Sequence, residues 1–450
     1  MTTRRLLTAA LLTGLAASSL AAQETRRVTL QEALRLAAYN SPTMVTARQD
    51  VRVARAQERQ TLGAFLPNLN TTGNESYTPV RIDATTGGAA SAGSGTPYNQ
   101  RYGFSASLDL FTGFRRGANR SAASATTDLR EATRVRQEYA VALSTKQAFF
   151  NALAAMELVA VAETRLRRAA EQLNLVSEKL RLGATTRSDS LRSRVEYGNA
   201  QLQLIQARAD QRNTQATLGR AVGTEGLVAP VPDTTLEVRL GALDTAALRR
   251  EALAAAPSVR EAEMTLVSAQ ASLRASRAAY LPTISASLNQ SWSRALNGMF
   301  SATPFEVVRG GDTTLNRMPF VGSRSLSVSF SYPIFDRFQR ETSVATASSS
   351  VISAEARRRD ARLFLDANLT QALASLEAAS AKIDIARVSV AAAEEDLRMQ
   401  RERYRLGTST IVEVLTTQVS LDQAQVDLVR ARYDYLVARA QLEAYVGHAL

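Results

Sequence analysis

The segment ERYRLGTSTIVEVL, residues 402–415, repeats the pattern of EKLRLGATTRSDSL, residues 178–191, at a constant shift of 224 residues. In both segments Arg-Leu-Gly ends one helical pattern, and a short polar stretch precedes the next. At the same shift, Gly223 near the end of the first half falls on Gly447 near the end of the second. The chain is therefore a tandem duplication, and the repeated unit determines the fold.

Upstream of each repeated segment, apolar residues recur every seven positions, with alanines as a second series. A seven-residue apolar repeat predicts long helices that supercoil left-handed around a partner. We expect these helices at about 118–181 and 337–405, each roughly 100 Å long at about 1.5 Å per residue. In the second half the heptad residues are Leu369, Leu376, Ile383, Val390, Leu397 and Tyr404, and the alanines are Ala372, Ala379, Ala386 and Ala393. In the first half the heptad residues are Ala152, Val159, Leu166, Leu173 and Leu180, and the alanines are Ala148, Ala155, Ala162 and Ala169.

Each half also contains two segments in which apolar and polar residues alternate. The clearest is SLSVSFSYPIF, residues 325–335, in which every second residue is apolar and those between are mostly serine. This period of two predicts strands with one apolar and one polar face. In YGFSASLDLF the expected apolar face carries Phe104, Ala106, Leu108 and Leu110. The predicted strands are about 69–77, 102–111, 283–292 and 325–335.

The fold class is therefore mainly α with a small β part, arranged as two repeats. We predict a first repeat at 23–223, a proline-bearing linker at 224–243 and a second repeat at 244–450. Each repeat begins with a helix and continues as strand, exposed loop, strand and a long helical hairpin, at 118–222 and 337–447. Residues 1–22 have the basic, apolar and small-residue order of a secretory signal peptide, so the protein is expected to be exported.

Composition excludes several classes of function. The chain has no cysteine and one histidine, so disulfides and thiolate metal sites are absent. The net charge of +12 comes from arginines interleaved with acids, which indicates solvated helix faces rather than a nucleic-acid partner. His448 lies near the C-terminus, where a solvated tail is the simpler interpretation. We expect neither an enzyme nor a bound metal or cofactor.

After the signal peptide no apolar run approaches 18 residues, so only strands could cross a membrane. Four strands cannot close into a barrel by themselves, whereas two chains would supply eight strands and three would supply twelve. An ordinary sandwich with one solvated face is the alternative. The export signal favours the membrane.

The order of elements, the duplication, the Leu-Pro pairs before the strands, YPIFDRF (332–338) and YRLGTSTIVEVL (404–415) resemble the TolC family of outer-membrane efflux factors. The resemblance implies a homotrimer with four transmembrane strands per chain in a twelve-stranded β-barrel, and a long α-helical coiled-coil barrel in the periplasm. It implies an exit duct for drug efflux or type I secretion, in outer-membrane lipid. A periplasmic adaptor (membrane fusion) protein and an inner-membrane efflux pump or ABC exporter would be its partners.

The resemblance also assigns roles to the two turns of the hairpins. It implies that the turns contact the adaptor, although a plain helix-hairpin turn explains the glycines sterically. The residues concerned are Leu182, Gly183, Leu406, Gly407 and Thr408.

A gate is implied at the same end. In a trimer Glu413 would form a ring of like charges that selects cations. Thr416 stands where the family often has a second acid. Tyr404 and Asp189 match a closing latch, with Arg187 as a substitute for an arginine that is absent here. The alternative is that all five are solvated turn residues.

A second class of function stays open. An exported trimeric coiled-coil scaffold or adhesin would use the helices for reach and the β-region as an anchor. Acids at equivalent positions of two duplicated turns favour the duct, because a simple stalk does not need them.

Overall fold

The computed structural model describes residues 26–77, 98–232, 245–297, 316–317 and 320–448. The predicted signal peptide, most of both predicted loops and residues 233–243 of the predicted linker lie outside these ranges. The described residues divide into two compact units. One draws on Met1–Val51, Arg130–Glu263 and Ala356–Leu450, and the other on Arg52–Leu129 and Met264–Glu355. Each unit thus combines segments from both halves of the sequence.

Four long helices dominate, and their lengths agree between the halves. Helices α3 (Arg115–Arg181) and α7 (Gln339–Arg405) have 67 residues each, and α4 (Arg187–Val222) and α8 (Ile411–Val446) have 36 each. Most of the heptad positions that the sequence singles out are buried, and close approach of the backbones explains the alanine series. These buried residues are Leu369, Leu376, Ile383, Leu397, Tyr404, Ala372, Ala379, Ala386, Ala152, Val159, Ala148, Ala155, Ala162 and Ala169.

The helix that opens each half is broken before a proline. Helices α1 (Leu30–Asn40) and α2 (Pro42–Gly63) stand in the first half, and α5 (Thr245–Ala255) and α6 (Pro257–Arg277) in the second. The break occurs because proline disfavours helical conformation in the residue before it. Ser41 accordingly has φ −56° and ψ 128°.

Two short strands of the helical unit were not predicted. Strand β1 (Arg26–Val28) pairs in parallel with β4 (Val228–Pro230), which lies within the segment predicted as a linker. Val28 and Val228 are both fully buried in the main core of the helical unit. Three-residue strands fall below the length at which alternation can be recognised in a sequence.

The other unit holds an antiparallel sheet made mainly of β2 (Asn68–Tyr77), β3 (Tyr98–Phe111), β5 (Thr283–Asn297) and β7 (Val321–Ser331). A two-residue strand, β6 (Asn316–Arg317), also pairs with β5. The strands β3 and β5 pair with each other and join the halves of the sequence. In the described residues β2 pairs only with β3, and β7 pairs only with β5.

The alternation predicted for β3 fails at its end. A register shift between Asp109 and Phe111 places Phe111 opposite Ile284, so that Leu110 drops out of the ladder. One extra residue in a strand reverses the faces beyond it, and sequence alternation does not reveal where this occurs. The strand predicted at 325–335 also ends early, at Ser331.

The sheet connects to the long helices through two similar bends. Gly113 and Phe114 have positive φ in the first half, and Arg337 and Phe338 have it in the second. A Cβ at Gly113 would lie 2.4 Å from Leu281 Cβ, so glycine is required there.

Among the described residues, no helix has the length and apolar character needed to cross a membrane.

Candidate functional site: the two hairpin turns

Both long hairpins turn through the same backbone motif. Gly183 and Gly407 have φ of 73° and 79°. Beyond the first glycine, the N–H of Ala184 donates to the Lys179 carbonyl at 2.8 Å; beyond the second, the N–H of Thr408 donates to the Arg403 carbonyl at 2.9 Å. This six-residue closure with a left-handed glycine is the Schellman motif. Because a Cβ on either glycine would meet nothing within 4 Å, the requirement for glycine is conformational and not steric.

The residue before each glycine is apolar and protrudes. Leu182 is 76% exposed and Leu406 is 79% exposed. Thr408 is also exposed, and its hydroxyl donates to the Arg403 carbonyl at 3.1 Å. A leucine that points into water at a tight turn contributes nothing to the core, so these side chains are free to contact a partner.

Asp189 closes the start of α4 as a capping residue. The Asp189 N–H donates to Thr186 Oγ1 at 3.2 Å, and the Thr186 N–H donates to Asp189 Oδ2 at 3.3 Å, which is a capping box. Hydroxyls of Thr186 and Thr185 also donate to Oδ2, at 2.8 and 2.9 Å. The Thr186 hydroxyl is the largest of the influences that lower the pKa of the Asp189 carboxyl. This acid is therefore held in its charged form at the turn.

Glu413 occupies the equivalent position of α8 with a different set of donors. Its N–H donates to Thr410 Oγ1 at 3.3 Å, and Ser409 Oγ donates to its Oε2 at 2.6 Å. The side chain is exposed. One carboxylate oxygen, Oε2, is thus fixed by the loop while the residue remains open to solvent.

The residues predicted to form a latch are not bonded to each other. Tyr404 is 7% exposed, and its hydroxyl is buried without a hydrogen-bond partner. Its ring instead lies 4.1 Å from the Lys179 ammonium, which also donates to the Tyr404 carbonyl at 2.8 Å. Arg187 is exposed at the start of α4. Within a single chain, Asp189 is engaged by its own threonines instead of by Tyr404.

Thr416 lies one turn beyond Glu413 and donates to the Val412 carbonyl at 2.9 Å. It lines a groove of about 720 Å³ between α4 and α8, together with Leu191, Val195 and Val419. The wall of the groove is largely apolar and accessible, since Val195 is 64% exposed.

A buried ionic cluster lies between the long helices, and the sequence reading did not single it out. Arg168 Nη2 is 2.5 Å from Asp422 Oδ1, and Arg165 Nη2 is 2.7 Å from Glu196 Oε1. Arg165 Nε also approaches Asp422 Oδ2, at 3.1 Å, without hydrogen-bond geometry. Burial raises the pKa of the Asp422 carboxyl, against the opposing pull of Arg168 and Arg165. The feature of the sequence that could have revealed this cluster is the pair of polar residues, Gln418 and Asp422, that interrupts the apolar stripe of α8.

The comparisons with known proteins agree with this architecture. A family model described as "Outer membrane efflux protein" matches residues 33–224 and 248–448. The chain is 23% identical to the outer membrane protein TolC of Escherichia coli (strain K12) over 68% of this chain and 61% of TolC, which is less than two thirds of that relative. It is 25% identical to the probable efflux pump outer membrane protein TtgC of Pseudomonas putida, over 93% of this chain and 82% of TtgC. A crystal structure of CusC superposes with a TM-score of 0.72 at 20% identity, covering 93% of this chain and 92% of that one.

Proposed function

The chain belongs to the outer membrane efflux protein family, and from this membership we propose that it is the exit duct of a tripartite efflux or secretion system. It is an outer-membrane protein with a helical periplasmic part, and it is a channel rather than an enzyme. Substrates would reach it from an inner-membrane efflux pump or ABC exporter through a periplasmic adaptor protein.

The observation that carries the proposal is the division of the sheet into two chemically different faces. Ser285 pairs with Ser329 and Ser287 with Ser327, with hydroxyl oxygens 2.8 and 2.7 Å apart. The opposite face of β7 presents Leu326, Val328 and Phe330, which are 66–74% exposed. A face this apolar needs lipid or protein to cover it, and the serine face suits a water-filled lumen.

The open edges of the sheet support a trimer. The outer edges of β2 and β7 have no strand partner in the described residues, and unpaired backbone groups are not tolerated in hydrocarbon. Three copies would close a twelve-stranded barrel with room for a lumen, whereas two would give eight strands and a filled interior. We propose on this basis a homotrimer built from the two repeats at 23–223 and 244–450.

We propose that the hairpin turns form the periplasmic end of the duct. The exposed Leu182 and Leu406, with Gly183, Gly407 and Thr408, would contact the adaptor. Glu413 would form a ring of three carboxylates around the axis, which favours cations over anions. Its side chain is exposed, as such a ring requires.

The latch is proposed in a modified form. Because Thr185 and Thr186 of the same chain already donate to Asp189 Oδ2, closure would use contacts between neighbouring chains. Two of the predicted gate residues are accessible to a neighbouring chain, because Arg187 is exposed beside this acid and Thr416 lies in the accessible groove.

The test is a planar bilayer recording of the purified protein in asymmetric KCl. Wild type should conduct with a preference for K⁺, and Glu413→Gln should lower that preference because it removes three charges from the ring. The matched control is Glu402→Gln, which removes an exposed carboxylate on the other side of the same turn and should leave the preference unchanged.

Two results would contradict the proposal in different ways. No conductance from wild type or from any turn variant would favour the alternative, an exported coiled-coil scaffold or adhesin. Equal loss of selectivity in both variants would leave the proposal of a duct intact, but it would show that the overall charge of the turn, and not a ring at Glu413, selects the ion.

A further inference from the structure

The apolar face of the sheet changes character toward the strand ends at Tyr98, Asn297 and Val321. The register places Ala106, Leu288 and Leu326 in one row. The next row along the strands holds Phe104, Gln290 and Arg324, and the one after it holds Tyr102, Trp292 and Gly322. Arg294 follows one row further along β5, opposite Gln100. Two arginines thus flank a tryptophan at the rim, where the apolar surface gives way to polar side chains.

Both arginines are held by neutral side chains. Arg324 Nε donates to Gln290 Oε1 at 2.8 Å, and Arg294 Nη2 donates to Gln100 Oε1 at 2.8 Å. The Arg294 guanidinium also lies 4.9 Å from the Phe320 ring centroid, and its Nε is buried without a hydrogen-bond partner. Amides and a ring orient a guanidinium without cancelling its charge.

In the described part of the sheet, Glu75 is the acid on this face, and it does not contact either arginine directly. Gln100 Nε2 donates to Glu75 Oε1 at 2.7 Å, so the amide of Gln100 stands between that carboxylate and Arg294. Arg324 is on β7, and two strands, β3 and β5, separate it from β2, which carries Glu75. Among the described residues, the rim therefore carries a net positive charge around Trp292.

The indole of Trp292 packs over its cross-strand neighbour, Gly322. A Cβ built on Gly322 would be 3.5 Å from the indole ring, which is an ordinary van der Waals contact. The indole is 42% exposed, as is the nearby Phe320. An amphipathic ring that is half exposed beside arginines is typical of the boundary between hydrocarbon and headgroups.

The spacing of the aromatic residues fits that boundary. From Tyr332 to Gly322 the chain advances ten residues, or about 33 Å at about 3.3 Å per residue. A strand tilted by about 40° then spans about 25 Å along the membrane normal, which is the height of the apolar band of outer-membrane β-proteins. With Tyr332 at one rim, Trp292 and Tyr102 fall at the other.

We propose that Arg294, Arg324 and Trp292 bind the phosphorylated headgroup of a membrane lipid, an inference that rests on the proposed function as an outer-membrane duct. The guanidinium groups would each bind phosphate oxygens through paired N–H donors. Arg324 lies one row inside the rim and reaches the headgroup by extending along the apolar surface. The indole packs against the first carbons of the lipid.

The chain provides its own reporter for this site. Trp292 is the single tryptophan of the sequence, so its fluorescence describes the rim alone. Detergent-solubilised protein is titrated with micellar bis-phosphorylated lipid A while the emission is followed. We expect a saturable shift for wild type, and half-saturation at a concentration about tenfold higher or more for the double variant R294Q/R324Q, because charge-assisted hydrogen bonds are lost.

The matched control is Arg101→Gln. Arg101 lies between Gln100 and Tyr102 in β3, at the same end of the sheet, but it pairs with Asn74 and Ser293 on the serine face. It carries the same charge change away from the proposed site, so R101Q should titrate like wild type. Circular dichroism and the oligomeric mass of each variant establish that it is folded.

Three outcomes would overturn the assignment. They are an unchanged titration for R294Q/R324Q in folded protein, equal weakening by R101Q, and a fluorescence shift produced by inorganic phosphate alone, which would indicate a site for the free ion. Bilayer conductance of the same preparations separates this inference from the proposed function. Absence of conductance with an intact lipid titration would count against the duct alone.

Discussion

The two helical hairpins of the chain have equal lengths and the same Schellman turn, yet they bury charged side chains at non-equivalent positions. The first supplies Arg165 and Arg168, and the second supplies Asp422, which binds both. At the repeat shift, Asp422 corresponds to Gly198, and the arginines correspond to Ser389 and Ala392. Each half is therefore incomplete without the other. Duplication provided the scaffold, and complementary substitutions made the halves interdependent.

The first prediction concerns this asymmetry and has the largest expected effect. Asp422→Ala would leave the largely buried Arg168 without a carboxylate and Arg165 with Glu196 alone, and should destabilise the fold by about 3 kcal/mol. The measurement is the shift of the urea unfolding midpoint of the detergent-solubilised protein.

The control is the repeat counterpart, Gly198→Ala. A Cβ at Gly198 meets nothing within 4 Å, so alanine in this helix should stabilise by about 0.5–1 kcal/mol. If Asp422→Ala were as harmless as Gly198→Ala, the interdependence of the hairpins would be refuted.

The second prediction concerns what the hairpins share. Gly183→Ala and Gly407→Ala each force a Cβ into the left-handed region and should each cost about 1–2 kcal/mol. Because neither site is crowded, the two costs should agree and should add in the double variant. Thermal unfolding of the three variants measures this, and unequal losses would show that the turns are not equivalent.

The third prediction tests the caps that follow the turns. Thr186→Ala should cost about 1 kcal/mol, because Thr186 both accepts from and donates to Asp189. Thr410→Ala should cost less, since Ser409 still holds Glu413. Urea unfolding of both variants, with Thr→Ser at each site as a conservative control, decides the order; a larger loss at Thr410 would contradict it.

The smallest expected effect is a pH dependence at the first turn. The pKa of Asp189 is lowered in the folded protein, chiefly by the Thr186 hydroxyl. The ionised carboxyl therefore stabilises the fold above its ordinary pKa of about 4, and this contribution disappears as the pH falls through the lower folded value.

Asp189→Asn should remove the contribution of this carboxyl to the pH dependence of stability and leave the rest of that dependence unchanged. Thermal unfolding between about pH 2 and pH 6 compares the two proteins. An identical pH dependence for wild type and variant would show that the capping box does not depend on charge.

Much of the site could be predicted from the sequence, but its internal contacts could not. The repeat and its glycines placed both turns, because a left-handed residue between two helical patterns is a local requirement. The sequence also put Asp189 and Glu413 at equivalent positions. It did not show that Asp189 is occupied by its own threonines, or that the Tyr404 hydroxyl is buried without a partner, because these depend on side-chain geometry in three dimensions.

The sequence by itself determined the periodic features of this protein: the duplication, the long heptad helices, the alternating strands and the turns between them. Periodicity is a local property, since burial of one face of a helix or strand fixes the spacing of its apolar residues. Only the tertiary structure decided the ionic cluster around Asp422, the register shift at Asp109, the parallel pairing of β1 with β4 and the placement of Arg324, Trp292 and Arg294 in successive rows of one face. Each of these depends on which distant segments meet, and no spacing along the chain encodes that.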